Sequence, residues 1–82
     1  MKNEKGNMIK LYQNQALVYF RKKIPVHISK NDGIFYNGII IELGPNFFFI
    51  EDFEEGRKLI FFEQLKHDIV EYKKEEKNAN PK

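Results

Sequence analysis

The chain has 82 residues, no cysteine, 32% charged side chains and a net charge of +2. That length makes one domain whose small core leaves little stability in reserve, and the missing cysteines exclude disulfide staples and thiolate metal sites. No apolar run approaches the ~20 residues that cross a bilayer, and the opening residues MKNEKGN lack an apolar leader, so a reducing, cytoplasmic setting is expected.

The charge is unevenly distributed. Residues 1–30 hold seven Lys or Arg and one Glu, residues 31–72 hold three basic and nine acidic groups, and residues 73–82 hold four Lys and two Glu. This segregation predicts a positive region on an acidic body. Such a region can attract a polyanion or dock on the acidic part of another copy.

Residues 1–7 are polar and expected to be unstructured. From Met8, the spacing of Ile9, Tyr12, Ala16 and Tyr19, continued by Phe20 and Lys23, predicts a helix, with Asn7 as its cap. Within it Leu17-Val18-Tyr19-Phe20 has a composition that also suits a strand. Arg21, Lys22 and Lys23 suit the negative end of the helix dipole, and Pro25 ends the helix by forcing its predecessor out of helical geometry.

The rest reads as strands. Val26 and Ile28 alternate with His27 and Ser29. Asn31-Asp32-Gly33 is a hairpin turn. A long strand runs over 34–43, with Gly38 inside it where a bend or close backbone approach is required. Gly44-Pro45-Asn46 turns into a third strand over 47–52, and Glu54-Glu55-Gly56 into a fourth over 58–62. Residues 63–66 connect to a fifth over 67–72. The tail from 73 to 82 is charged and expected to be disordered. Short strands in sequence order predict a mostly β fold: an N-terminal α-helix, then a strongly bent, five-stranded antiparallel barrel over residues 8–72.

Three strands do not alternate. Ile39-Ile40-Ile41, Phe47-Phe48-Phe49-Ile50 and Leu59-Ile60-Phe61-Phe62 are apolar on both faces, whereas a strand with one wet face alternates. One face fills the barrel; the other needs a cover that a single helix does not supply in full. Self-association through edge strands is therefore expected, with Leu59, Ile60, Phe61, Phe62 and Ile69 at the interface.

At this point the chain resembles the Sm-like superfamily, closest in spacing to its bacterial Hfq branch. Lys23-Ile24-Pro25-Val26-His27-Ile28, then Asn31-Asp32-Gly33, then Gly38 is similar to that branch's helix exit, first strand, turn glycine and bent second strand. The similarity covers residues 15–72. It implies an Sm-like (SH3-like) barrel, a homo-oligomeric ring in which the fourth strand of one copy pairs with the fifth of the next, and binding of uridine- or adenosine-rich single-stranded RNA. The pocket residues depart from the family pattern. Gly44 stands where an Asp is usual, Phe61-Phe62-Glu63 where the branch has Tyr-Lys-His, and Ser29 where an aromatic stacks on purines. The Arg-Gly signature of other Sm proteins is absent at the same Phe61-Phe62-Glu63 stretch. The basic helix end, Arg21-Lys22-Lys23, is retained.

The candidate RNA-binding residues are therefore Arg21, Lys22, Lys23 and Lys30 for phosphates, Tyr36 for stacking and Asn46 for a base edge. Each has a structural alternative: a solvated helix end, a barrel-capping tyrosine, a turn asparagine. His27, Ser29 and Asp32 lie close in sequence, but Ser29 is the only serine and no elbow motif surrounds it. His67-Asp68 offers no more. The acidic run Glu51, Asp52, Glu54, Glu55 lacks the ligand pattern of a calcium loop. The residues point to a non-catalytic protein without metal or cofactor. The expected function is a homo-oligomeric ring that binds single-stranded RNA; the alternative is a self-assembling structural or protein-interaction module of the same fold that binds none.

Overall fold

The computed structural model describes residues 4–73. The chain order is α1 (Glu4–Lys22), β1 (Val26–Ser29), β2 (Phe35–Leu43), β3 (Phe47–Asp52), β4 (Gly56–Phe61), a 3-10 turn over Phe62–Gln64, and β5 (Val70–Glu71). The mostly β architecture expected from the pattern is present: a helix followed by one five-stranded antiparallel sheet in the order β4-β3-β2-β1-β5.

The helix starts at Glu4, four residues before the expected Met8, so Asn7 lies inside it rather than capping it. Ile9, Tyr12 and Ala16 pack on the barrel core, and a helix fixed by such packing extends through weak formers such as Gly6 and Asn7. Residues 1–3 and 74–82, expected to be disordered, lie outside the described residues. Two side chains tie α1 to the barrel: Gln13 Nε2 donates to the Pro45 carbonyl, and Gln15 Oε1 accepts the Ile69 amide at 2.9 Å.

Two devices bend β2. A Cβ on Gly38 would collide with the backbone carbonyl of Glu51, so β2 and β3 approach at a distance only glycine permits. Beyond it the β2–β3 register shifts between Ile40 and Glu42, a bulge that adds local twist. Gly33 holds the β1–β2 turn with φ +91, a region that favours glycine.

The core is built from Val26, Ile28, Ile40, Phe48, Ile50, Ile60 and Phe62, closed by Tyr12, Ala16, Leu65 and Ile69. Of the side chains expected at an interface, those of Ile60, Phe62 and Ile69 are buried within the single chain. Strand alternation explains Ile60, which faces inward between Leu59 and Phe61. Phe62 has left the strand for the 3-10 turn and packs on Phe48, with ring centroids 5.3 Å apart. Closure comes from residues 64–66 running beside the end of β1: the Asn31 amide donates to the Gln64 carbonyl and the Lys66 amide to the Ser29 carbonyl, both at 2.8 Å. β5 is much shorter than its expected span, only Val70 and Glu71 pairing with His27 and Val26.

Candidate nucleic-acid interface and assembly edges

The basic helix end is exposed at Arg21, Lys22 and Lys23. Its backbone is a Schellman stop. The Lys23 amide donates to the Phe20 carbonyl at 3.3 Å and the Ile24 amide to the Tyr19 carbonyl at 3.1 Å. Lys23 holds the left-handed position with φ 55, where glycine is usual. The motif directs three cationic side chains outward where helical carbonyls carry partial negative charge.

The structure brings Lys30 and Tyr36 together. The Lys30 ammonium lies 5.8 Å from the Tyr36 ring centroid and 3.6 Å from an Asp32 carboxylate oxygen. Lys58, not singled out in the sequence, sits 5.9 Å from the same centroid and pairs with Glu55 at 3.1 Å. The half-buried Tyr36 ring thus carries two ammonium neighbours. Register could have signalled part of this, since Ile28 faces Tyr36 across β1–β2 and Lys30 follows two residues on.

Asn46 is exposed at the β2–β3 turn, and its carbonyl accepts the Phe62 amide at 2.9 Å. With Ile9, Phe61 and Glu63 it lines a cavity of about 330 Å³. A carboxylate in that cavity opposes an anionic ligand.

Among the described residues two sheet edges, β4 and β5, have a neighbour on one side only. Both carry exposed apolar side chains: Leu59 at 45% and Phe61 on β4, and Val70 at 44% on β5. Phe61 continues inward into an outer aromatic patch, with Phe47 at 6.0 Å and Phe49 at 5.9 Å beyond it. The Arg57 guanidinium covers Phe49 at 4.3 Å and pairs with Glu42 at 3.2 Å. The second apolar face expected on β3 and β4 is thus real, and partly covered within the chain.

His27 and Asn37 face each other across β1–β2. The His27 Nδ1–H donates to Asn37 Oδ1 at 2.6 Å, leaving Nε2 to accept the Ser29 hydroxyl at 3.3 Å. Asp52 is 8% exposed. Its carboxylate accepts the amides of Asn37 and Glu54, each at 2.9 Å, and of Glu55 at 2.8 Å. Burial pushes its pKa up, but these three amides and the nearby Lys58 charge outweigh burial and hold it below the usual carboxylate range. Among the described residues, no cluster of three or more His, Asp or Glu is placed to hold a metal ion, and no helix is long and apolar enough to cross a membrane.

No family model and no curated protein matches the sequence. The structure is similar to a crystal structure of Hfq, described as a pleiotropic translational regulator. The likeness has a TM-score of 0.63 at 12% identity and covers 73% of this chain and 97% of that one. At that identity it is the backbone path that is shared, a helix followed by five antiparallel strands: the chain has the Sm-like fold.

Proposed function

We propose that this protein is a non-catalytic, cytoplasmic Sm-like subunit that assembles into a homo-oligomeric ring and binds single-stranded RNA. The observation that carries the reading is the pair of open edges. One edge needs a strand and so does the other, each bears exposed apolar side chains, and the two are different surfaces. Pairing β4 of one copy with β5 of the next is head-to-tail, and head-to-tail contacts generate rings when the rotation closes. Burying Leu59, Phe61 and Val70 contributes on the order of 1.5–3 kcal/mol for each side chain fully covered.

RNA is supported by the exposed helix end. A ring repeats Arg21, Lys22 and Lys23 once per subunit, which gives a circle of cations suited to phosphates and tolerant of sequence. The likeness to a translational regulator points the same way. A second reading, assembly without RNA, draws on Glu63 in the Asn46–Phe61 cavity and on the two lysines already gathered at Tyr36.

The test is a titration of the assembled protein with short uridine-rich and adenosine-rich RNAs at two salt concentrations, with oligomer size measured by sedimentation. Saturable binding that weakens with salt is expected. Replacing Arg21, Lys22 and Lys23 by Gln should flatten the salt slope by ~0.7 for each phosphate that is no longer neutralised. A well-formed oligomer that binds neither RNA at low salt would leave the assembly module as the function. A stable monomer at micromolar concentration would remove the ring.

A further inference from the structure

A cavity of about 270 Å³ opens where the start of β2, the β3–β4 turn and the end of β5 meet. Four aromatic residues wall it: Phe35, Tyr36, Phe53 and Tyr72. Phe53 and Tyr72 lean on each other with ring centroids 5.8 Å apart. Phe35 and Phe53 are 59% and 55% exposed, so neither is held there by the core. Among the described residues the remaining lining is Asn37 and the acidic Asp52, Glu54 and Glu55, of which Glu55 is paired with Lys58 at 3.1 Å. Asp52 remains ionised because three amides hold its charge, and among the described residues Glu54 forms no ion pair.

Aromatic faces present negative potential and attract ammonium or guanidinium groups, more strongly when the cation is partly desolvated. Carboxylates at the same mouth add charge complementarity. Lys58 pairs with Glu55 and, with Lys30, stands beside the Tyr36 ring, so the side left to an incoming cation is that of Phe35, Phe53, Tyr72 and Glu54, where a phosphate backbone would meet a carboxylate. The geometry points to this cavity as a docking site for a basic segment of a separate polypeptide, which inserts one lysine or arginine side chain among the aromatic rings. The proposal does not involve the helix end and shares with the RNA reading only Tyr36, the candidate stacking residue. Arg21, Lys22 and Lys23 are fixed on α1 and do not line the cavity.

The experiment titrates the full chain with a short peptide alternating glycine and arginine, with its lysine counterpart, and with a glutamine control. Binding is read by tyrosine fluorescence and calorimetry. One saturable site per chain, weakened by salt, is expected for the basic peptides and none for the control. Phe53→Ser should weaken binding at least about tenfold, and Glu54→Gln about threefold with a shallower salt dependence. Unchanged affinity in both variants, with native circular dichroism, would overturn the proposal. Should Phe53→Ser fail to fold, the exposed Glu54→Gln carries the test alone. Tighter peptide binding after Lys74, Lys77 and Lys82 are replaced by Gln would assign the cavity to the chain's own tail. Tighter binding after the same change at Arg21, Lys22 and Lys23 would assign it to a second copy. Competition by short RNA would assign it to nucleic acid. Each of these three results would overturn a separate protein partner.

Discussion

Asp52 ties the β3–β4 turn to β2, and removing its carboxylate has a calculable cost. Asp52→Ala deletes the acceptor for the amides of Asn37, Glu54 and Glu55. The Asn37 amide lies at the pairing of β2 with β3, and a bond to a charged group there contributes about 1.5–3 kcal/mol. The two turn amides regain water, so each costs about 0.5–1 kcal/mol. The total is about 2.5–5 kcal/mol, a large share of the ~4–12 kcal/mol expected for a domain of this size. Asp52→Asn keeps one acceptor oxygen and should lose about 1–2 kcal/mol. Urea unfolding followed by circular dichroism, at one fixed protein concentration, measures both. At a slope of about 1.5 kcal/mol/M the alanine variant's midpoint falls by ~2–3 M. The pH dependence gives a second reading. A native pKa below the unfolded value means stability that is present above about pH 4 and is lost as pH falls through the native pKa. The gap between wild type and Asp52→Asn should therefore hold from pH 7 to about pH 4 and narrow below it. An alanine variant within about 0.5 kcal/mol of wild type would refute the tie, because a change that small is typical of ordinary surface substitutions.

Three further outcomes are expected. Gly38→Ala should destabilise by about 3 kcal/mol or more, since its Cβ has no room beside the Glu51 carbonyl; a wild-type urea midpoint would show that the strands separate freely. Lys23→Gly should raise the unfolding temperature by about 4–8 °C, by relieving roughly 1 kcal/mol of left-handed strain, while RNA binding weakens; Lys23→Ala should gain nothing, and scanning calorimetry separates the two. Leu59→Glu and Val70→Asp should each block one edge and lower self-association while circular dichroism stays native. An equimolar mixture should then form a heterodimer through the two intact edges, and sedimentation that finds only monomers would refute head-to-tail pairing.

The helix, the strand order, the turn at Gly33 and the close approach at Gly38 were legible because each rests on local spacing or on a residue with few conformational options. The face of each apolar run was not. Leu59-Ile60-Phe61-Phe62 reads the same in either register, and only the departure of Phe62 into a 3-10 turn decides that Ile60 and Phe62 fill the core while Leu59 and Phe61 remain outside. The basic helix end was legible from Arg21-Lys22-Lys23 and Pro25. The aromatic cavity was not, since Phe53 and Tyr72 are brought together by the β3–β4 turn and the β5 crossing, which no period in the sequence reveals. The role of Asp52 was hidden for the same reason: in an acidic run it looks like its neighbours until its oxygens are seen to hold three amides.

The brevity of β5 has a consequence for how the carboxyl end behaves. Val70 and Glu71 alone give it a ladder, and the Tyr72 amide adds one bond to the Pro25 carbonyl at 2.9 Å. So short an edge frays readily when nothing lies along its outer side. On dilution, amide exchange at Val70 and Tyr72 should quicken before that of Ile28 or Ile50, and the wall of the cavity nearest Tyr72 should slacken with it.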